Sequence, residues 1–199
     1  MTRAAVFDLW DTLAAWPHED MTPLLHAVGL GPDEWASPDH RDRRWTGAFR
    51  GYLDWLGLDP RAAARAGEIR TETTRRALVP VDGALSVLDE LRGRGLRLGL
   101  VSNCSSEVGE LWDESPFGGR FDAVVLSADV AMCKPDPRIY RLALERLGVV
   151  PRDAVFVGDG DSDELAGAEG VGMKAIQLGS RAGWHGRRID SLGELPALV

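Results

Sequence analysis

Four short segments of this 199-residue chain place chemically able side chains at the ends of apolar runs. The run that begins at Ala4 ends in Asp8-Leu9-Trp10-Asp11-Thr12, and the run Leu96 to Val101 ends in Ser102-Asn103. Lys134-Pro135 precedes a helical pattern from Arg138 to Leu147. The run Ala154 to Val157 ends in Gly158-Asp159-Gly160-Asp161-Ser162-Asp163-Glu164. Together these segments offer carboxylates, hydroxyls, an amide and one ammonium. Carboxylate oxygens suit Mg²⁺, which takes one or two of them from a protein and completes its shell with water and substrate phosphate. A carboxylate can also act as a covalent nucleophile, dividing one hard displacement into two easier ones. Ammonium and hydroxyl donors aimed at a phosphoryl group stabilise the charge it carries in the transition state. The set points to phosphoryl chemistry.

Two other readings of the acidic segment fail on spacing. Asp159, Asp161 and Asp163 imitate the first three ligands of an EF-hand, but the sixth position is Glu164 instead of Gly and the twelfth is Gly170 instead of Glu. Gly158 and Gly160 do not extend into a dinucleotide-binding GxGxxG, because Asp163 stands where the third glycine belongs.

The elements that must position these residues alternate. Apolar runs at Ala4 to Leu9, Leu96 to Val101, Ala123 to Leu126, Ala154 to Val157 and Ala175 to Leu178 have the look of buried parallel strands. Amphipathic stretches such as Ala84 to Arg94 and Arg138 to Leu147 lie between them, the second opened by Pro135-Asp136-Pro137 and closed by Gly148. Strands alternating with helices predict a doubly wound parallel sheet, in which ligands bind outside the carboxyl ends of the strands. One region departs from this rhythm. From Ala14 to Val79 there is no convincing strand, only helical patterns such as His40 to Leu56 and Arg61 to Leu78, with four of the seven tryptophans. The division expected is an α/β core formed by residues 1–13 and 80–199, with a helical cap over 14–79. The turn Pro80-Val81-Asp82-Gly83 marks the return to the core, with Asp82 as a candidate helix cap.

Composition sets the outer bounds. With 44% hydrophobic and 27% charged residues the chain is ordinary globular material. A formal net charge of −8 argues against a nucleic-acid partner, whose phosphates need a basic face. No long uncharged apolar run marks a signal peptide or membrane span, so a cytoplasmic location is expected. Cys104 and Cys133 have no metal-site spacing and read as idle thiols.

Taken in order, VFDLWDTL, LGLVSN, CKPDPRIY and VFVGDGDSDELAGA resemble motifs I to IV of the haloacid dehalogenase-like (HAD) hydrolase superfamily, over residues 4 to about 178. The resemblance implies a Rossmann-like core, and the helical insert matches the position of that family's C1-type cap. It also implies roles. Asp8 would be the nucleophile, and Mg²⁺ would be held by Asp8, Asp159 and the backbone carbonyl of Trp10. Asp163, or Glu164 if the loop is read one residue differently, would hold a metal-bound water or contact Lys134. Lys134 would offset the negative charge, Ser102 and the backbone amide of Asn103 would bind phosphoryl oxygens, and Thr12 would fix the motif I loop or donate to the phosphate. The substrate implied is a small phosphorylated molecule.

One departure stands out. HAD phosphatases carry a second Asp two residues after the nucleophile, which protonates the leaving group and later activates water; here that position is Trp10. Asp11 should point elsewhere unless the chain has already turned. Three functions follow: a Mg²⁺-dependent phosphoryl hydrolase of narrow scope, a dehalogenase-like carbon-centred hydrolase, or a catalytically weak binding module. The dehalogenase branch has an aromatic Tyr at the Trp10 position but lacks the acidic ligand of motif IV, so Asp159 favours the phosphoryl reading. Cap residues that could assist the phosphoryl hydrolase in place of the missing acid are His18, His26, His40, Arg41, Arg43 and Arg44.

Overall fold

A computed structural model describes residues 1–16 and 21–199, so His18 lies outside the described residues. Six strands form one sheet: β1 (Ala4–Phe7), β2 (Arg97–Ser102), β3 (Ala123–Leu126), β4 (Ala154–Gly158), β5 (Lys174–Leu178) and β6 (Arg187–Ile189). Their spatial order is β3-β2-β1-β4-β5-β6 and every pairing is parallel. Five of the six coincide with the apolar runs. The sixth escapes sequence reading because it is three residues long and two of them are exposed arginines.

Parallel strands are covered on both faces, and β1 shows how its sequence meets that demand. Ala5 and Phe7 pack with Leu88 and Leu91, which belong to a helix that follows the insert. Ala4 and Val6 face the other way and pack with Ile139, Ala143 and Leu147. Side chains alternate along a strand, so an all-apolar AAVF feeds two separate cores at once. The register places β1 between β2 and β4, where the strand order reverses direction. That reversal opens a crevice at the carboxyl ends of β1, β2 and β4, the position at which such sheets bind ligands.

Between β1 and β2 come α1 (Thr22–Val28), α2 (Pro32–Ala36), α3 (Pro38–Trp45), α4 (Phe49–Trp55), α5 (Pro60–Ala77) and α6 (Ala84–Gly93). Of these, α1, α4 and α5 share an apolar cluster of their own, built on Leu24, Val28, Phe49, Tyr52, Leu53, Ala63 and Ala66, with Trp35 of α2 packed against it. The stretch from His40 to Leu56 is not one helix. It breaks at residues 46–48, where the Thr46 hydroxyl donates to the Asp42 carbonyl at 2.7 Å and occupies an acceptor at the end of α3. Asp82 is not the cap of α6: Gly83, at φ 80°, takes the N-cap position without any side-chain hydrogen bond. The remaining helices, α7 (Glu107–Leu111), α8 (Ser127–Val130), α9 (Pro137–Leu147) and α10 (Glu164–Gly170), connect the later strands. No helix among the described residues is long and apolar enough to cross a membrane.

Candidate active site

β1 ends at Phe7, and the chain then delivers Asp8 buried at the carboxyl edge of the sheet. Asp8 N donates to the Val157 carbonyl of β4 at 2.9 Å, which continues the ladder one residue past the strand and fixes where its carboxylate begins. The loop that follows turns at once: Asp11 has φ 53°, and its Oδ1 accepts from Trp16 N at 2.9 Å. Asp11 is exposed and closes this loop. Trp10 is buried in the core cluster and meets Trp16 edge-on, with ring centroids 5.4 Å apart. An indole fills the place where the motif pattern has a carboxylate.

Lys134 is the hub of the site. Its Nζ donates to Asp8 Oδ1 and, at 2.5 Å, to Glu164 Oε2. All three side chains are buried. The lysine backbone is held from the motif II segment: Lys134 N donates to Asn103 Oδ1 at 2.8 Å, and Asn103 Nδ2 donates back to the Lys134 carbonyl at 3.1 Å. The Asn103 side chain thus couples the end of β2 to the lysine.

Motif IV resolves which acid faces inward. Ser162 and Asp163 both adopt the left-handed conformation, φ 53° and 54°, immediately before α10. Two residues in that region swing the chain so that Asp163 is exposed and Glu164 is buried against Lys134. Glu164 Oε1 also accepts from Gly160 N at 3.0 Å. Gly158 makes room for this, since a Cβ there would stand 2.0 Å from Glu164 Oε1. Tyr140 of α9 donates from its hydroxyl to the Glu164 carbonyl at 2.8 Å and anchors the start of the helix.

The electrostatics follow from crowding in a buried place. Burial holds the Asp8 carboxyl above the ordinary carboxylate range, against the pull of Lys134. Burial and the nearby Asp8 push the Glu164 carboxyl up to about 8. Lys134 is raised, because the two carboxylates outweigh its own desolvation. Asp8, Asp159 and Glu164 each offer one carboxylate oxygen within 4.8 Å of one another, all buried. Clustered carboxyl oxygens are hard ligands, and this donor set fits a divalent cation such as Mg²⁺.

Two buried hydroxyls, one in the loop after Asp8 and one at the end of β2, lack hydrogen-bond partners. Thr12 and Ser102 are fully buried, and neither Thr12 Oγ1 nor Ser102 Oγ makes a hydrogen bond. A buried unsatisfied hydroxyl is costly, so each stands ready for an acceptor.

The helical insert docks on the segment just past Asn103. Arg70 donates from Nε and Nη2 to Ser105 Oγ at 3.2 and 2.8 Å, and Phe49 N donates to Ser106 Oγ at 3.0 Å. Among the insert candidates, Arg41 lines a cavity of about 530 Å³ that Lys134 also borders. The other candidates among the described residues lie elsewhere. His40 Nδ1 is 2.9 Å from the Tyr52 hydroxyl, Arg43 pairs with Asp39, Arg44 stacks on Trp35, and His26 is exposed. Cys104 is buried and burial pushes its thiol up to about 12; Cys133 is half-buried.

Arg181 belongs to the site and has no counterpart in the four motifs. It follows β5, and its Nε and Nη2 donate to Asp159 Oδ2 at 3.0 and 2.5 Å. The strand-end rule that finds the other residues reaches it when applied after Leu178.

Comparison with known proteins agrees with this architecture. Residues 2–171 match the family described as haloacid dehalogenase-like hydrolase. The chain is 36% identical over 160 residues to a phosphoserine phosphatase of Thermus thermophilus, covering 78% of this chain and 59% of that protein. It is 32% identical to a phosphoglycolate phosphatase of Pseudomonas aeruginosa, covering all of this chain and 76% of that one. It therefore spans about three fifths of the first relative's length and three quarters of the second's. The crystal structure of a HAD phosphatase from Thermococcus onnurineus superposes with a TM-score of 0.71 at 25% identity, over 99% of this chain and 97% of that one. By family model and by fold, this chain belongs to the haloacid dehalogenase-like hydrolase family.

Proposed function

We propose that the chain hydrolyses a small phosphorylated metabolite with Mg²⁺ bound, through an aspartyl-phosphate on Asp8. The observation that carries this reading is the pair of orphaned hydroxyls, Thr12 in the loop that follows Asp8 and Ser102 at the end of the neighbouring β2, both buried. Phosphoryl oxygens are acceptors of the right kind for both, and the backbone amide of Asn103 is a third donor on the same loop.

In this mechanism an Asp8 carboxylate oxygen attacks phosphorus, the bond from phosphorus to the leaving oxygen breaks, and the phosphoryl group rests on Asp8. Water then attacks phosphorus, releases inorganic phosphate and restores the carboxylate. Lys134 keeps its proton throughout, orients Asp8 and offsets the charge of the phosphoryl group. Glu164, the inward-facing member of the pair with Asp163, orients Lys134 and takes the role near the metal water. Asp8, Asp159 and the Trp10 carbonyl would hold Mg²⁺. When bound, that ion neutralises charge on the phosphoryl oxygens. Residues 14–79 act as the cap, with Arg41 at its approach to Lys134. The protein works in the cytoplasm without nucleic acid or membrane as partner.

Trp10 narrows the scope. General acid assistance contributes about 10²–10⁴ in rate, and the indole cannot donate a proton to a departing alkoxide. Substrates whose leaving group departs unprotonated, such as acyl or aryl phosphates, or those carrying a proton donor of their own, are the class this site serves. Turnover of acetyl phosphate, p-nitrophenyl phosphate and alkyl phosphates, with and without Mg²⁺, tests it. The expected result is metal-dependent turnover that falls with leaving-group pKa, and loss of about 10³ or more in Asp8→Asn. Chloride release from 2-chloropropionate without metal would replace it with carbon-centred hydrolysis. Full activity of Asp8→Asn would remove the nucleophile.

A further inference from the structure

Arg181 occupies the carboxylate that the proposed metal needs. Its guanidinium takes Asp159 Oδ2 through two donors, at 3.0 and 2.5 Å, while Asp159 Oδ1 accepts from Asp161 N at 3.0 Å. Both oxygens of Asp159 are thus engaged. A cation entering the Asp8, Asp159 and Glu164 cluster must share that carboxylate with a guanidinium or displace it.

The surroundings of Arg181 divide into a fixed part and a free part. Gln177 is fully buried, and its Nε2 donates to both the Asp159 and the Arg181 carbonyls at 3.0 Å. That amide ties the Arg181 backbone to motif IV, so release of Asp159 does not require the loop to move. The side chain is different: it is 47% exposed, against 11% for Asp159. A second acid already waits beside it, with Asp161 Oδ1 3.4 Å from Arg181 Nη1. A guanidinium that leaves Asp159 therefore has a second carboxylate within reach.

The geometry points to Arg181 as a latch on Asp159 that competes with the divalent cation, and that shifts onto Asp161 when the cation binds. This inference rests on the metal-dependent reading above and goes beyond it, since it assigns a resident positive charge to the carboxylate proposed as metal ligand. A buried cluster of three carboxylates with one lysine is held together by repulsion-relieving cations. Arg181 supplies one at the price of metal affinity.

Calorimetric titration of the full-length protein with MgCl₂ tests the latch without reference to turnover. Removal of a partly exposed charge pair changes affinity modestly, and Arg181→Met should bind Mg²⁺ about fivefold tighter than the wild type. Arg181→Lys, which keeps the charge but loses the two-donor grip, should fall between them. Arg141→Met removes the same charge from an exposed position on α9 and should stay within about twofold of the wild type, which separates the contact from general electrostatics. In ¹⁵N-labelled wild type the Arg181 Nε–H resonance should move on saturation with Mg²⁺. Unchanged or weaker binding in Arg181→Met, or an equal gain in Arg141→Met, overturns the latch. Wild-type binding by Asp159→Asn overturns Asp159 as the ligand instead, so the two failures are told apart.

Discussion

On the outer face of the helical insert, Arg50 with Asp54, Arg76 with Glu72 and Arg43 with Asp39 pair four residues apart, every side chain at least 45% exposed. At the carboxyl end of the sheet, Asp8, Lys134 and Glu164 form pairs of the same kind, shorter and with almost no exposure. The bonds are alike and their consequences are not. Water screens the first set, so those charges cost little and hold little. In the second set each charge has left water, and only its partners make that tolerable. A fold keeps such a cluster when something other than stability needs it. Charges at the sheet edge therefore carry information about chemistry, and those on the insert surface carry almost none.

Removing the hub puts this contrast to its strongest test. Lys134→Met leaves Asp8 and Glu164 facing one another in a buried space, and urea unfolding should show a loss of about 3–5 kcal/mol. A loss under 1 kcal/mol would mean that the cluster is wetter than its burial indicates. Trp10→Asp comes next and separates stability from chemistry at one position. Taking an indole out of the core and adding a carboxylate should cost about 3 kcal/mol or more in unfolding free energy. Turnover of alkyl phosphates, where protonation of the leaving group matters, should rise by about 10² or more, while acetyl phosphate changes little. Equal effects on both substrates would break the account of Trp10 as a missing acid.

The neighbours Asp163 and Glu164 carry the comparison down to one peptide bond. Because Glu164 is buried and Asp163 exposed, Glu164→Gln should lower kcat/KM by about tenfold or more, and Asp163→Asn by less than threefold. A pH signature accompanies this. The Glu164 carboxyl holds its proton more tightly in the fold, up to about 8, than its ordinary value of 4.5. Its contribution is therefore fully present below the ordinary value and is lost as pH rises through about 8. Metal-free wild type should lose melting temperature over that window, and Glu164→Gln should flatten the slope. Asp8 titrates with it, so the transition belongs to the pair.

How far the sequence speaks depends on the same physics. The five longer strands were legible because a strand buried on both faces is built mainly from an apolar run, as in Val155, Phe156 and Val157. β6 was not, since Arg187 and Arg188 expose an edge that needs no apolar face. Asp8, Lys134 and Asp159 were legible because they follow strands or open a helix in a known order. The choice between Asp163 and Glu164 was not. It turns on two left-handed residues, Ser162 and Asp163, and neither is the glycine that would announce such a conformation. Arg181 was hidden for a further reason: an arginine in a loop is ordinary surface until the carboxylate it holds is known.

At the small end of the scale, the insert surface supplies the reference against which the buried cluster is judged. Arg50 Nε donates to Asp54 Oδ1 at 3.0 Å, an ordinary hydrogen-bonded pair, yet both side chains are about as exposed as each other and free to be solvated. A double-mutant cycle with Arg50→Ala and Asp54→Ala should give a coupling of about 0.5 kcal/mol or less, shrinking further in 0.5 M salt. The single variants should leave turnover unchanged, because neither residue lies near Lys134. A coupling above about 1 kcal/mol would show that distance alone, without burial, sets the strength of a pair in this protein, and the reason for singling out the sheet edge would fall with it.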